Sequence, residues 1–175
     1  APTGGDAHCP VICIHGLTRN SSDFEDVAPW IAAQGRRVLA VDVRGRGHST
    51  YDAEPASYNP AIYAQDVIKL TTDLGISRAV FIGTSMGGII TMTLAVKRLS
   101  LIAGAILNDV GPVISQTGLT RIAGYAGKGK PVDSWSEAAN YIRDINQAAF
   151  PENTMDDWGV WARRTFAENI QGQLV

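Results

Sequence analysis

The sequence predicts an α/β fold built on a mainly parallel sheet, and three observations carry that expectation. Four short apolar runs are rich in β-branched residues and do not alternate cleanly with polar ones, as strands buried on both faces of a sheet should read. Helical segments with recognisable ends lie between them. Strand–helix–strand alternation at this spacing argues for parallel strands joined by right-handed crossovers.

The expected strands are residues 11–15, 38–43, 79–83 and 104–110. Ser22-Asp23-Phe24-Glu25 reads as a capping box opening a helix that Gly35 can close. Asn59-Pro60 fits an N-cap followed by proline at the first helical position, and Ile62, Ala64, Val67, Ile68 and Leu74 form a helical stripe up to Gly75. A third helix is expected from Met86 to Arg98. Beyond Pro112 the character changes. Residues 118–131 read as a loop with one short helix, Ser134-Trp135-Ser136-Glu137 as a capping box for a helix to about Phe150, and Thr154 with Asp157 as the start of a last helix through Trp158, Trp161 and Phe166. No strand is expected there. The predicted domains are therefore 1–112, the sheet, and 113–175, a helical cap or lid set on it.

Bulk properties narrow the function. A chain of 175 residues can bury a sizeable core, and 45% hydrophobic with 18% charged residues is ordinary for a globular protein. A formal charge of -2 gives no case for nucleic acid or an anionic membrane surface. The apolar runs fall far short of the roughly 20 residues a membrane span needs. Residues 1–6 carry no basic segment followed by an apolar one, so no signal peptide is expected and the location is expected to be cytoplasmic. On one extended stretch Cys9 and Cys13 would stand roughly 13 Å apart, too far for a disulfide, and two lone thiols make a poor metal site.

Gly83-Thr84-Ser85-Met86-Gly87-Gly88 matches G-x-S-x-G directly after an expected strand and directly before an expected helix. Such a nucleophile elbow needs a sharp turn that lifts a serine hydroxyl above the sheet edge. Gly83 and Gly87 flank it because a Cβ would collide with the neighbouring strand and helix. The helix start places the Met86 amide where negative charge develops in acyl transfer. His15-Gly16 ends the first expected strand, and Leu17 stands where the second amide of an oxyanion hole belongs. His15 is expected to order this loop rather than act as a base. The turn from Asp42 to Ser49, Asp42-Val43-Arg44-Gly45-Arg46-Gly47-His48-Ser49, lies at the carboxyl edge of the sheet, where ligands bind in such folds. It lacks the G-x-G-x-x-G of a dinucleotide site, and Arg44 and Arg46 read as loop-holding residues, with anion binding as the alternative.

Together with Asn108-Asp109-Val110-Gly111-Pro112, these motifs resemble the α/β-hydrolase superfamily, in the branch of small esterases, lactonases and carbon–carbon bond hydrolases. The order and spacing match over about residues 11–112, and the following helices resemble that family's cap. The resemblance implies Ser85 as nucleophile, the amides of Leu17 and Met86 as oxyanion hole, and His15, Gly16, Gly83 and Gly87 lining the site. It implies a small-molecule ester or lactone substrate, no metal and no organic cofactor. A serine at the elbow argues against a dehalogenase or epoxide-hydrolase mechanism.

The chain departs from that pattern after the elbow. Family members run in the order nucleophile, acid, histidine, whereas the three histidines here, His8, His15 and His48, all precede Ser85. The chain is therefore expected to be an incomplete catalytic domain, lacking the final strands and an N-terminal hairpin, with its histidine elsewhere or in a second chain. Asp109 is a candidate acid, the alternative being a strand-end aspartate satisfied by nearby amides. Trp135, Tyr141, Phe150, Trp158 and Trp161 would shape an apolar substrate pocket, or simply pack the cap. Rival functions are a carbon–carbon bond hydrolase, a thioesterase, and a non-catalytic binding module of the same fold.

Overall fold

Four parallel strands, β1 (Val11–Ile14), β2 (Val38–Val41), β3 (Ala79–Thr84) and β4 (Ile102–Asn108), pair in the order β2-β1-β3-β4 in a computed structural model. It describes residues 8–175, so the reading of residues 1–6 lies outside the described residues. The chain divides into two compact units, Ala1–Val113 and Ile114–Val175.

The first unit is the sheet with its helices. Side chains alternate along a strand, so the central β1 sends Ile12 and Ile14 to one face and Val11 and Cys13 to the other. On the first face they join Phe81 and residues of α2 (Pro60–Asp73) and α3 (Met86–Arg98), including Tyr63, Val67, Ile90 and Leu94. On the second they meet Phe24 and residues of the short α1 (Val27–Ala32), Ala28 and Ile31. All four β1 residues are buried, as its continuous apolar run implies. Burial pushes the Cys13 thiol up to about 11, so it stays protonated, and Cys9 is also a free thiol.

α2 begins and ends as its sequence implies. The Asn59 side chain accepts the Ala61 and Ile62 amides at 3.0 and 3.1 Å, with Pro60 at the first helical position. Gly75, at φ 67, turns the chain so that its own N–H reaches Thr72 O and that of Ile76 reaches Thr71 O. α3 spans the expected residues.

Three boundaries differ. The capping box expected at Ser22 does not form. The Asn20 side chain instead accepts the Ser22 amide over a single 3-10 turn, Ser21–Phe24, and α1 starts anew at Val27. A helix running on from Ser22 would have carried Pro29 in its interior; restarting puts the proline in the first turn, where no N–H is needed. β2 stops at Val41 because the Asp42 carboxylate turns back to accept the Ser21 and His48 amides. β4 starts at Ile102 and ends at Asn108, since Asp109 adopts φ 55. It forms an edge of the sheet, and residues 105–108 are exposed rather than buried on both faces.

The second unit contains α4 (Gln116–Tyr125), α5 (Trp135–Asn146) and α6 (Met155–Thr165). α4 is the one helix expected in this stretch, starting two residues before Gly118, and Ser115 caps it by accepting the Gly118 amide. At α5 the Ser134 hydroxyl accepts the Glu137 amide, but the Glu137 carboxylate takes the Asp133 N–H, one residue earlier than a strict capping box. At α6 Thr154 and Asp157 complete theirs. The core of this unit is Trp158, Ala138, Ala139, Ile142, Ala162 and Leu174. Two isolated antiparallel bridges bring the chain near Leu174 against Val132 and Glu168, where no pairing was expected.

Candidate active site

Ser85 joins β3 to α3 with φ 51 and ψ −111. A side-chain-bearing residue held in this region costs of order 1–3 kcal/mol and persists only where its surroundings enforce it. Its neighbours do so. The Ser85 N–H donates to Asn108 O at 2.8 Å, tying the turn to the end of β4. A Cβ on Gly83 would stand 2.4 Å from Gly87 O, one on Gly87 2.0 Å from Ile14 O, and one on Gly88 2.3 Å from a Val110 methyl. The glycines thus let the start of α3 press against the ends of β1 and β3. The Met86 amide belongs to the first turn of α3, whose N–H groups have no partner inside the helix.

Among the described residues, only Ser85 and Asp109 combine a side chain with positive φ. Both sit at the carboxyl ends of neighbouring strands, the edge where α/β sheets bind ligands. The Asp109 side chain is exposed, and among the described residues its carboxylate has no hydrogen-bond partner, so nearby amides do not satisfy it.

The loop after β1 lies against the nucleophile turn: a Cβ on Gly16 would be 3.8 Å from Ser85 Cβ. His15 is fully buried, and both its ring nitrogens are engaged. Nδ1–H donates to Gly16 O at 2.7 Å, and Nε2 accepts the Val43 N–H at 3.1 Å. It therefore orders the loop and has no nitrogen left for a substrate proton. Burial pushes its imidazole below the ordinary 6.5, against the opposing pull of the Gly16 bond and the negative charge of Asp42. Arg19 N–H also reaches Gly16 O, at 3.2 Å, closing the turn that carries Leu17.

The loop after β2 is held from within. Burial alone would raise the Asp42 carboxyl, yet the amides of His48 and Ser21 outweigh it and hold the group below the usual carboxylate range. Arg44 grips Asp66 of α2 through two bonds, at 3.0 and 2.8 Å, and also pairs with Asp52. Arg46 Nε donates to Leu17 O at 2.8 Å, and its Nη1 to Gly45 O at 2.8 Å. Both arginines are thus engaged in holding loops. His48 is exposed, and its backbone N–H is held by Asp42.

A cavity of about 540 Å³ opens beside the loop after β2, lined by Val41, Arg44, Tyr51, Tyr63, Val67 and Leu70 among others, with no residue of the nucleophile turn. The strained turn at Ser85 lies outside this cavity. In the second unit Trp158, Trp161 and Phe150 pack edge to face, Tyr141 meets Phe166, and Arg163 lies 4.7 Å over Trp135. Packing of that unit accounts for these aromatics. Among the described residues no group of three His, Cys, Asp or Glu side chains is placed to hold a metal ion, and no helix is long and apolar enough to cross a membrane.

Residues 11–170 match the alpha/beta hydrolase family. The chain belongs to that family. Its relatives within this hydrolase family include a 3-hydroxybutyrate-oligomer hydrolase of Cupriavidus necator, 35% identical over 148 residues, which cover 85% of this chain and 50% of that one. An sn-1-specific diacylglycerol lipase, ABHD11, of Mus musculus is 36% identical over 111 residues, or 62% of this chain and 35% of that one. Among solved structures, an alpha/beta hydrolase from Novosphingobium aromaticivorans superposes with a TM-score of 0.92 at 42% identity, covering 98% of this chain and 60% of that one. The chain spans about half the length, or less, of these curated relatives.

Proposed function

We propose that this chain carries the nucleophile of a serine hydrolase acting on carboxylic esters or lactones through an acyl-enzyme at Ser85. The observation that carries the reading is the strained Ser85 turn, locked to Asn108 O and crowded by glycines that admit no Cβ. Relatives named for hydrolysing 3-hydroxybutyrate oligomers and diacylglycerol favour an ester over a carbon–carbon bond.

In this mechanism Ser85 Oγ attacks the acyl carbon, and the amides of Leu17 and Met86 hold the oxyanion that forms. The serine proton passes to a histidine and from it to the departing alcohol or ring oxygen. Water then cleaves the acyl–Oγ bond and releases the acid. His15 is committed to its loop, and no histidine follows Ser85 in this sequence. The base is therefore a histidine outside these residues. Asp109 is the candidate carboxylate to orient it.

The intact mass of the complete protein, including the histidine that lies outside these residues, before and after a fluorophosphonate tests this. One adduct mapping to Ser85, lost in Ser85→Ala together with on the order of 10⁶ in turnover, is the expected result. No adduct, or turnover that survives Ser85→Ala, would point to a binding module instead. Asp109→Asn should cost about 10⁴ in kcat if it orients the histidine; a loss under about tenfold leaves it a structural residue.

A further inference from the structure

The structure assigns Arg46 as the positioning residue of the oxyanion hole: a clamp thrown from the loop after β2 onto the backbone of Leu17. This inference rests on the serine-hydrolase reading and adds a group that touches neither substrate nor nucleophile.

A peptide unit is planar, so fixing its carbonyl fixes the opposite direction of its N–H. The Leu17 N–H belongs to the Gly16–Leu17 peptide, and the carbonyl of that unit is held by His15 Nδ1–H at 2.7 Å and by the Arg19 amide at 3.2 Å. The next unit, Leu17–Thr18, would still be free to rotate about the Leu17 Cα–C bond and carry the Arg19 amide off Gly16 O. Its carbonyl is the one Arg46 Nε holds at 2.8 Å. The guanidinium is itself braced, because Nη1 donates to Gly45 O at 2.8 Å and the Arg46 N–H to Val43 O at 3.0 Å. Val43 in turn donates its N–H to His15 Nε2. Two loops are therefore latched at both peptides that flank Leu17. An oxyanion donor stabilises a transition state only when it needs no reorientation as charge develops. Arginine suits the task because its planar fork can hold two carbonyls at once and never loses its proton, whereas a lysine reaches one.

The test compares the complete protein, its catalytic histidine included, with its Arg46→Ala, Arg46→Lys and Arg44→Ala variants. It uses hydrolysis of p-nitrophenyl butyrate, with active sites counted by fluorophosphonate and folding followed by thermal melting. Arg46→Ala should lower kcat per titrated site by on the order of 10- to 100-fold, short of the loss for deleting a donor, with KM within about twofold. Arg46→Lys, keeping one donor, should recover part of the loss. Arg44→Ala grips only Asp52 and Asp66 and should leave kcat within about twofold. An unchanged kcat in Arg46→Ala, or a fall shared equally with Arg44→Ala, overturns the clamp. If Arg46→Ala does not fold, Arg46→Lys decides: a lower kcat at unchanged KM supports the clamp and a parental kcat overturns it. A parent that takes no adduct on Ser85 overturns the serine-hydrolase reading, and the clamp with it. An adduct on Ser85 with parental kinetics in Arg46→Ala overturns the clamp alone.

Discussion

At His15, the bond from Nδ1–H to the Gly16 carbonyl and the bond from the Val43 amide into Nε2 coexist only on a neutral ring. Protonation turns the acceptor into a donor facing an N–H. Because burial depresses the folded-state value below the ordinary 6.5, the unfolded chain takes up the proton first. The His15 contribution to stability is thus complete above pH 6.5 and is lost as pH falls below it, by at most about 1.4 kcal/mol per pH unit. Asp42, also depressed, loses its contribution only below its ordinary 3.8, so the two windows separate. Melting temperatures are expected to fall as pH drops below 6.5, and His15→Asn should flatten that slope; a flat parental profile would refute it. At this scale the strained serine turn was legible and the Arg46–Leu17 contact was not. Ser85 is announced by glycines at fixed offsets, because steric exclusion acts between residues close in sequence. Arg46 and Leu17 lie 29 positions apart and meet only once the sheet has brought two loops together, so the arginine read simply as a loop holder.

Among the elements, helix starts were legible where one side chain had one amide to satisfy. Asn59 takes two amides at the start of α2, and Asn59→Ala should cost about 1 kcal/mol in denaturant unfolding without changing the slope; a change under a few tenths would remove the cap from the account. The start of α1 was misread because Ser22 and Asn20 compete for the same stretch, and a proline seven residues on decides between them. β4 was misplaced by two residues at each end for a different reason. Its apolar composition says strand, but only the left-handed turn at Asp109 says where it stops. Residues 118–131 read as loop with one short helix because Gly118 and Gly124 lower helical preference, and the helix that forms runs over ten residues with Ser115 at its cap.

For the molecule as a whole, the parallel sheet was legible from apolar runs alone, and an exposed apolar edge followed from a sheet of only four strands. Ile106 and Leu107 of β4 are 56% and 40% exposed, on a strand whose outer side has no partner among the described residues. A flat apolar edge templates pairing with another strand. The 175-residue chain alone should therefore elute above monomer size, and Ile106→Lys should return it toward monomer. A monomeric parent would show that this edge is not adhesive.

The burial of Cys13 gives the protein a clock of its own. Cys13 sits on the central strand with a thiol held protonated, and Cys9, four positions earlier, is only half-buried. An alkylating reagent meets the second thiol without disturbing the sheet and the first only when the sheet opens. The ratio of single to double alkylation over time then counts opening events of β1, the strand that leads into the Leu17 loop, with no label engineered in.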